Sequence, residues 1–412
     1  MAGLRRLGWM VLILAALVLL LVLPALPPVP PAATPETAAP ATQSPAPQPT
    51  AAPAGYRAVW LSYLEWQQWD FSSAQVFSDQ VDLLLDNLQS IGANVLLAHL
   101  RPFGDALYPS SYYPFSDLCT GTQGQDPGYD PLALLLEAAH ARGIQVEGWI
   151  NPYRIQVGGS PVLCDTSPAL VHPDWVREAE GNLYLNPADP AVREYIAGAV
   201  AELCRNYPID GIHFDDYFYP TTDPAFDAED YAASGTDLSL EDWRRENVDA
   251  LIQLCHQTAA EAGVRFGVAP QGDPDSNYAG QYSDVARWLA QPGYVDYLMP
   301  QLYWGVDYTL SGDTSHSLTE LAARWAAMDR DPGVALYFGL GAYRIGEGDG
   351  GDLGGPGTEW QSGAALAGQA AALRQIAGPD TGIALYRYDS LFANSLWPTL
   401  AAQEGEALRA VW

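Results

Sequence analysis

The sequence contains no lysine, so all 19 of its basic residues are arginines. The lack of lysine excludes enzymes that form a Schiff base through a lysine amine, including class I aldolases and pyridoxal-phosphate enzymes. Arginine is far outnumbered by the 49 acidic residues, which gives the 412-residue chain a formal net charge of −30. Because an acidic surface repels phosphate backbones, we do not expect nucleic acid to be a partner.

Histidine is also scarce, with six residues scattered singly along the chain. A metal-dependent deacetylase or amidohydrolase barrel needs clustered His ligands, typically an H-x-H motif near its first strand. The first predicted strand has no His, and two His residues that could face one interior, His99 and His213, rarely suffice for a metal. The sequence therefore predicts no metal and no cofactor, and leaves a metal-dependent polysaccharide deacetylase or amidohydrolase as a weaker alternative.

The longest hydrophobic run lies at the N-terminus, where two arginines precede the apolar residues 9–23. This order is typical of an export signal, and the run length allows either a cleaved signal peptide or an uncleaved membrane anchor in residues 1–26. Residues 27–54 are rich in Pro, Ala and Thr, which predicts a disordered linker. We therefore expect residues 55–412 to fold outside the cytoplasm, either secreted or tethered to the outer face of the cytoplasmic membrane.

The chain has only four cysteines. In an exported protein they suggest disulfide bonds, for which three pairings are possible. Cys119 and Cys164 fall in predicted loops, whereas Cys204 and Cys255 fall near the ends of predicted helices. We expect the pairs Cys119–Cys164 and Cys204–Cys255, with buried free thiols as the alternative.

From residue 57 onward, short apolar runs alternate with amphipathic helical stretches. Eight runs have strand character, at residues 57–63, 94–102, 145–153, 211–218, 265–272, 296–304, 335–344 and 382–390. Alternation of near-continuous apolar strands with helices predicts a parallel sheet covered by helices. Eight such units favour an α/β fold, a (β/α)8 TIM barrel with enlarged loops at its C-terminal face. A doubly wound open sheet is the alternative, but no G-x-G-x-x-G motif follows the first strand.

The C-terminal ends of these strands are polar and aromatic, whereas their beginnings are apolar. In a TIM barrel the chemistry lies at this end, and converging polar groups there indicate a binding site. We expect eight residues to bind the substrate, through its hydroxyls or by stacking on its sugar rings: Arg101, Asn151, Tyr153, His213, Tyr217, Gln301, Tyr303 and Trp304.

The fourth predicted strand ends in two adjacent carboxylates, within "DGIHFDDYFYP" at residues 210–220. Strand alternation places His213, Asp215 and Tyr217 on the face that points into the barrel. Asp216 can still turn inward, because alternation often breaks where a strand becomes a loop. A buried Asp beside His and Tyr is held by hydrogen bonds or has a shifted pKa, as general acid/base chemistry requires.

Several long blocks occur in the order typical of one family: "RAVWLSY", "LRPFGDALYPSSYYPFSDLCTG", "PGYDPLALLLEAAHARGIQVEGWINPYR", "HPDWV", "LNPADPAVREYI", "DGIHFDDYFYP", "VDYLMPQLYW" and "LGAYR". With these blocks, the chain from Tyr56 to about Trp397 resembles the bacterial glycosyl hydrolase-like family 10, whose members are exported (β/α)8 barrels. The resemblance implies hydrolysis of glycosidic bonds in a polysaccharide, either the peptidoglycan of the cell wall or a related glycan.

A more distant resemblance concerns family-18 chitinases, which carry DGxDxDxE on the fourth strand with the Glu as proton donor. In this comparison Asp215 matches the Asp that orients the substrate, and Tyr217 replaces the acid. The proton donor must then be Asp216, Asp215 itself or a carboxylate from another strand, for which Asp105 in "RPFGDALY" is the candidate. Adjacent residues on one strand point apart, so Asp215 pairs more easily with Asp105 than with Asp216. As single candidates, we rank Asp215 first, Asp216 second and Asp105 third.

The replacement by Tyr217 also supports a second function class. A non-catalytic carbohydrate-binding or wall-anchored barrel would use the same stacking aromatics and would not need a proton donor. In either class the expected partner is a polysaccharide. The oligomeric state is not predicted by the sequence.

Overall fold

The structure is a computed structural model, and it describes residues 51–352 and 358–412. The predicted export signal and residues 27–50 of the predicted linker lie outside the described residues. Within the two described ranges, no helix has the length and hydrophobicity needed to cross a membrane.

The predicted (β/α)8 barrel is confirmed. The described strands are β1 Arg57–Leu61, β2 Val95–Arg101, β3 Gln145–Ile150, β4 Arg154–Gln156, β5 Val176–Ala179, β6 Asn182–Leu185, β7 Gly211–Phe214, β8 Arg265–Val268, β9 Tyr297–Leu298, β10 Gln301–Leu302, β11 Ala335–Gly341 and β12 Gly382–Tyr386. One parallel sheet has the order β10-β11-β12-β1-β2-β3-β7-β8-β9, and the additional pairing of β9 with β11 closes it. β9 and β10 are consecutive parts of the sixth predicted strand. Counted as one, they give the barrel eight strands.

The break in the sixth strand has a local cause. Pro300 lies between β9 and β10 and has no N–H group to donate to a sheet ladder. Its carbonyl still accepts a hydrogen bond from the N–H of Gly339 at 2.9 Å. The interruption therefore leaves the strand in place between its neighbours and turns its last residues toward the top of the barrel.

Helices cover the outside of the barrel. The described α-helices are α1 Tyr63–Trp66, α2 Ala74–Ser90, α3 Pro131–Ala141, α4 Pro168–Val171, α5 Pro190–Asn206, α6 Ala228–Ser234, α7 Leu240–Glu261, α8 Pro274–Gly280, α9 Val285–Ala290, α10 Leu318–Ala326, α11 Ala365–Ala377, α12 Tyr388–Phe392 and α13 Pro398–Val411. Asp130 and Asp189 cap α3 and α5 by accepting backbone N–H groups, and each precedes a proline at the first helical position. Because α12 begins at Tyr388, the eighth barrel strand ends earlier than predicted.

The loop after β3 contains a small antiparallel sheet that the sequence did not predict. Its strand order is β4-β6-β5. Residue Arg154 pairs with Tyr184, and Val176 pairs with Leu185. These strands have only three or four residues each, so they lack the length of a clear periodic signal.

Two apolar cores stabilise the fold. The larger one lies between the strands and the helices, and the smaller one fills the barrel interior with side chains that include Trp60, Trp149, Tyr297 and Tyr337. A glycine makes room for one of these rings: a Cβ atom added to Gly267 would lie 2.1 Å from the ring of Tyr297. The interior is therefore a packed core, as expected for this barrel.

The predicted disulfides are absent from the structure, in which Cys119, Cys164, Cys204 and Cys255 are all free thiols. Cys119 is buried, whereas the sulfur of Cys164 lies 3.3 Å from the hydroxyl oxygen of Thr166. Burial raises the pKa of Cys119 and of Cys204 to about 12, so both are neutral apolar groups. The alternative of buried free thiols describes Cys119 and Cys255, whereas Cys164 and Cys204 are free thiols that are partly exposed.

Candidate active site

Asp215 follows the last residue of β7 at the C-terminal end of the barrel. Its carboxylate accepts hydrogen bonds from the indole Nε1 of Trp149 at 3.1 Å and from the backbone N–H of Tyr217 at 3.2 Å. The residue is 4% exposed. Burial, and next the charge of Asp216, raise the pKa of Asp215 to about 7. A carboxyl group with this pKa can hold or release a proton near neutral pH.

Asp216 also turns toward the site, as the sequence allowed. The amide Nε2 of Gln301 lies 3.4 Å from its Oδ1, and the side chain of Gln271 is a further hydrogen-bond partner. Burial raises the pKa of Asp216, while the two amides oppose that rise by stabilising the carboxylate. Gln271 and Gln301 form a parallel β-bridge between the two barrel strands that follow β7, so the barrel backbone positions these amides.

Arg154, the first residue of β4, lies next to both carboxylates. Its guanidinium carbon is 4.0 Å from the centre of the Tyr217 ring, and its charge lowers the pKa of Asp215 and Asp216 against the larger effect of burial. The Tyr217 side chain is 52% exposed and forms part of the surface around the carboxylates. The predicted site residue Tyr217 thus lies at the site, and Arg154 is an addition that sequence reasoning missed.

Aromatic rings from five further barrel strands form a cluster next to the carboxylate pair. The rings of Tyr303 and Tyr386 stack with centroids 5.6 Å apart, and the ring of Tyr343 meets Tyr303 edge-on at 5.6 Å. Trp149 and Trp60 contact Tyr386 at 6.4 Å and 6.0 Å. Of these five, only Tyr303 was predicted as a site residue.

His213 lies below the site, inside the barrel. Its Nε2 accepts a hydrogen bond from Trp60 Nε1 at 3.1 Å, so the proton is on Nδ1, which lies 2.8 Å from the hydroxyl oxygen of Tyr297. Tyr297 in turn donates to Glu147, which forms an ion pair with Arg265 at 2.7 Å. Burial lowers the pKa of His213 to about 3. His213 is a fully buried link in this network, and the structure places it below the cleft and not on its surface.

Three other predicted contacts also point away from the cleft. The sheet register shifts between His99 and Arg101, and the Arg101 side chain donates to the carbonyl of Pro152 at 2.8 Å and lies 4.0 Å over the ring of Tyr113. Asn151 is buried with its Oδ1 2.7 Å from His99 Nε2, and Tyr153 packs in the outer core. These side chains pack around the end of β3, and the structure does not place them on the surface of the cleft.

Asp105, the third predicted carboxylate, is enclosed in its own loop. It is fully buried and accepts a hydrogen bond from Gln123 at 3.0 Å. Burial raises the pKa of Asp105 to about 7. The structure does not bring Asp105 beside Asp215: Asp105 is enclosed by its own loop, and the neighbouring carboxylate of Asp215 is Asp216.

Trp304 lies at the edge of the site, in the segment after β10. Its ring contacts Tyr308 at 6.3 Å and His316 at 5.5 Å, and the side chain is half-buried. The predicted residue therefore packs against its own loop and leaves only part of its ring exposed.

A second polar group that the sequence analysis missed lies at the ends of β1 and β12. Arg387 donates to both carboxylate oxygens of Asp389 at 2.8 Å and 2.7 Å and lies 3.4 Å from a carboxylate oxygen of Glu65. Burial raises the pKa of Glu65 to about 7. The charge of Arg387 is compensated by these two carboxylates, so the three side chains stabilise the top of the barrel next to Tyr386.

Across residues 51–352 and 358–412, no three His, Cys, Asp or Glu side chains are grouped closely enough to hold a metal ion. The chemical groups at the top of the barrel are the two aspartates, the neighbouring arginine and the aromatic rings.

Comparison with known proteins places this site in a family. A profile of the family described as "Glycosyl hydrolase-like 10" matches residues 55–352. The chain is 35% identical over 316 residues to "Glycosyl hydrolase YngK" of Bacillus subtilis, which covers 70% of this chain and 61% of that protein. It is 35% identical over 377 residues to "Glycosyl hydrolase DigH" of Escherichia coli K12, which covers 81% of this chain and 83% of that protein.

A solved structure with the same fold is the PgaB (BpsB) glycoside hydrolase domain from Bordetella bronchiseptica. The TM-score is 0.55 at 15% identity, with 87% of this chain and 99% of that chain covered. This likeness establishes the fold alone, whereas the profile match and the two relatives carry the assignment. The chain belongs to the glycosyl hydrolase-like 10 family.

Proposed function

We propose that the protein is a glycoside hydrolase in which Asp215 and Asp216 cleave an O-glycosidic bond. The single observation that carries the proposal is the pair of adjacent carboxylates at the top of the barrel, Asp215 buried and Asp216 partly buried, neither of which has an ion-pair partner within 4.0 Å in the described part of the chain. Family membership and relatives named glycosyl hydrolases support the reaction class.

Different surroundings divide the work between the two aspartates. Burial and the charge of Asp216 raise the pKa of Asp215 to about 7, so the coupled pair can hold one proton near neutral pH, and the proposal places that proton on Asp215. Asp215 gives its proton to the glycosidic oxygen, which keeps the electron pair of the breaking C1–O bond. Asp216 takes a proton from the water that adds to C1. One carboxylic acid and one carboxylate are the groups that this hydrolysis needs.

The aromatic rings supply the binding surface. Tyr303, Tyr343 and Tyr386 come from different barrel strands and present flat apolar faces beside the carboxylates. Sugar rings stack on such faces while their hydroxyls bond to neighbouring polar groups such as Gln301. The substrate in this proposal is a polysaccharide of the bacterial cell wall or a related glycan, and the predicted export signal supports an extracytoplasmic location.

The experiment is product analysis by mass spectrometry. Full-length protein and its Asp215→Asn variant would each be incubated with purified peptidoglycan, with peptide-free glycan strands and with chitin oligosaccharides. New reducing ends in fragments from the wild type alone are the expected result and would identify the cleaved bond. Circular dichroism of both proteins controls for folding. Equal fragment yields from both proteins would overturn the role of Asp215.

A second candidate function is supported by the exposed Tyr217, which occupies the position of the chitinase acid. A barrel that only binds carbohydrate would retain the aromatic surface and bind glycan without product. Tight binding of the same glycans by the wild type, with no fragment released, is the result that would favour this function.

A further inference from the structure

Arg154 carries a charge that the protein itself leaves without an ion pair. In the described part of the chain, no carboxylate oxygen lies within 4.0 Å of its guanidinium, although two aspartates are close enough for it to shift their pKa. Three other arginines lie in the upper barrel, of which Arg387 is paired with Asp389 and Arg101 is buried against backbone carbonyls. Arg344 has no ion pair among the described residues and lies 4.9 Å over the ring of Tyr343, whereas Arg154 is near enough to Asp215 and Asp216 to lower the pKa of both.

The position of Arg154 is fixed by its surroundings. Its backbone pairs with Tyr184 in the small antiparallel sheet, and its guanidinium lies 4.0 Å over the ring of Tyr217 and 6.0 Å from the ring of Phe103. Stacking on a ring holds a guanidinium by its face and leaves its N–H edge free to donate two parallel hydrogen bonds. Such an edge fits a carboxylate better than it fits a hydroxyl.

The negative charge of the rest of the molecule bears on what the Arg154 cation can bind. A chain with a net charge of −30 and two carboxylates in its cleft would repel an anionic sugar unless a cation lay at the point of contact. We propose that Arg154 binds a carboxylate carried by the sugar next to the cleaved bond, which makes the enzyme selective for acidic glycans. This inference rests on the proposed glycosidase function. Two sources offer the same chemistry, the lactyl ether of an amino sugar and the carboxylate of a uronic acid.

The test compares native glycans with glycans whose carboxyl groups have been reduced to alcohols. The substrates are peptide-free lactyl-bearing amino-sugar strands and a uronate polysaccharide, each in both forms. The proteins are the full-length wild type, Arg154→Gln, Arg154→Lys, and the control Arg205→Gln, which removes one positive charge from an exposed position on α5. The measurement is kcat/KM for each pair.

Loss of a charge-assisted contact corresponds to about tenfold or more in kcat/KM. For the acidic glycan that the wild type cleaves, both carboxyl reduction and Arg154→Gln are expected to cause this loss. Arg154→Gln causes a clearly smaller loss on the reduced glycan, where only its effect on the pKa of Asp215 and Asp216 remains. Arg154→Lys restores part of the activity, and Arg205→Gln changes neither rate. The pair of substrates that shows the effect identifies the source of the carboxylate.

Two results would overturn the inference. Equal losses on native and reduced glycans in Arg154→Gln would mean that Arg154 acts only on the aspartates, and the glycosidase function would stand. If the wild type cleaves none of the glycans, the glycosidase proposal fails, and calorimetric binding of native glycans to Asp215→Asn and to Asp215→Asn with Arg154→Gln decides the contact. Binding weakened about tenfold by the arginine change would support it, and equal binding would contradict it.

Discussion

Two acidic sites lie one above the other in the same barrel, and their negative charges are compensated differently. In the lower site Glu147 forms an ion pair with Arg265 at 2.7 Å and accepts a hydrogen bond from Tyr297. In the upper site Asp215 and Asp216 lie side by side and accept hydrogen bonds from an indole, a backbone N–H and amide groups. The lower carboxylate is compensated by a full opposite charge, and the upper pair is not.

Burial raises the pKa of the carboxyl group at both sites, and at Glu147 the charge of Arg265 opposes that rise. Burial alone would lower the pKa of Arg265, but the carboxylate of Glu147 holds it above its ordinary value. At the upper site burial and mutual repulsion raise the pKa of Asp215 to about 7. A buried ion pair with satisfied hydrogen bonds belongs to the fold, whereas an uncompensated carboxyl pair that titrates near neutrality is typical of a catalytic site.

The largest expected effect is on activity at the upper site. Asp215→Asn removes the proton donor, so we expect kcat on a cleaved glycan to fall by about 100-fold or more. The free energy of unfolding at pH 7 should stay the same or rise, because the substitution removes a carboxylate that burial disfavours. Steady-state kinetics and chemical denaturation check the two parts. Retention of more than about a tenth of wild-type kcat would be incompatible with the assigned role.

The converse effect is expected at the lower site. Glu147→Gln leaves Arg265 buried without its counter-charge, which should lower the free energy of unfolding by about 3 kcal/mol or more. Activity per folded molecule should change little, since Glu147 does not reach the cleft. Denaturant titration measures the first quantity. The double variant Glu147→Gln with Arg265→Gln is the control, and it should show a loss smaller than the sum of the two single losses.

The pH dependence separates the sites further. Because the pKa of Asp215 is raised to about 7 in the folded protein, the folded state binds more protons than the unfolded state between about pH 4 and pH 7. Asp215 therefore contributes a stability that decreases as pH rises through this window, and Asp215→Asn should reduce that slope. For the same reason kcat/KM should fall above about pH 7, where the acid loses its proton. A flat activity profile from pH 6 to about pH 9 would contradict the assignment.

The smallest expected effect concerns a third buried carboxyl group. Asp105 shares a pKa of about 7 with Asp215 but is enclosed by its own loop with Gln123 as a hydrogen-bond partner. Asp105→Asn is isosteric and should leave kcat within about threefold of wild type, because access to substrate as well as pKa is required for catalysis. A loss comparable to that of Asp215→Asn would restore Asp105 as a member of the site.

Much of the fold could be predicted from the sequence, because strand periodicity and apolar runs depend on local spacing. All eight barrel strands occur in the predicted order. The inward position of Asp215 follows from its alternation with Phe214, which lies in the outer core. Pro300 contained a signal for the broken sixth strand that the prediction did not use.

Site residues were harder to predict wherever a local irregularity changed the direction of a side chain. The register shift before Arg101 turns that residue away from the cleft, and alternation cannot anticipate such a bulge. Trp149 could have been found, because it shares a face of β3 with Glu147. Arg154 could not, because its position depends on pairing with Tyr184, a contact 30 residues away in sequence.

The central claim is that the uncompensated carboxylates perform the chemistry and the compensated pair stabilises the fold. Measuring both kcat and the free energy of unfolding for Asp215→Asn and Glu147→Gln tests it most directly. The predicted result is a crossover: Asp215→Asn loses activity and keeps its stability, while Glu147→Gln loses stability and keeps its activity per folded molecule. If both variants lost activity in proportion to their stability, the two sites would not differ in role, and the account would be contradicted.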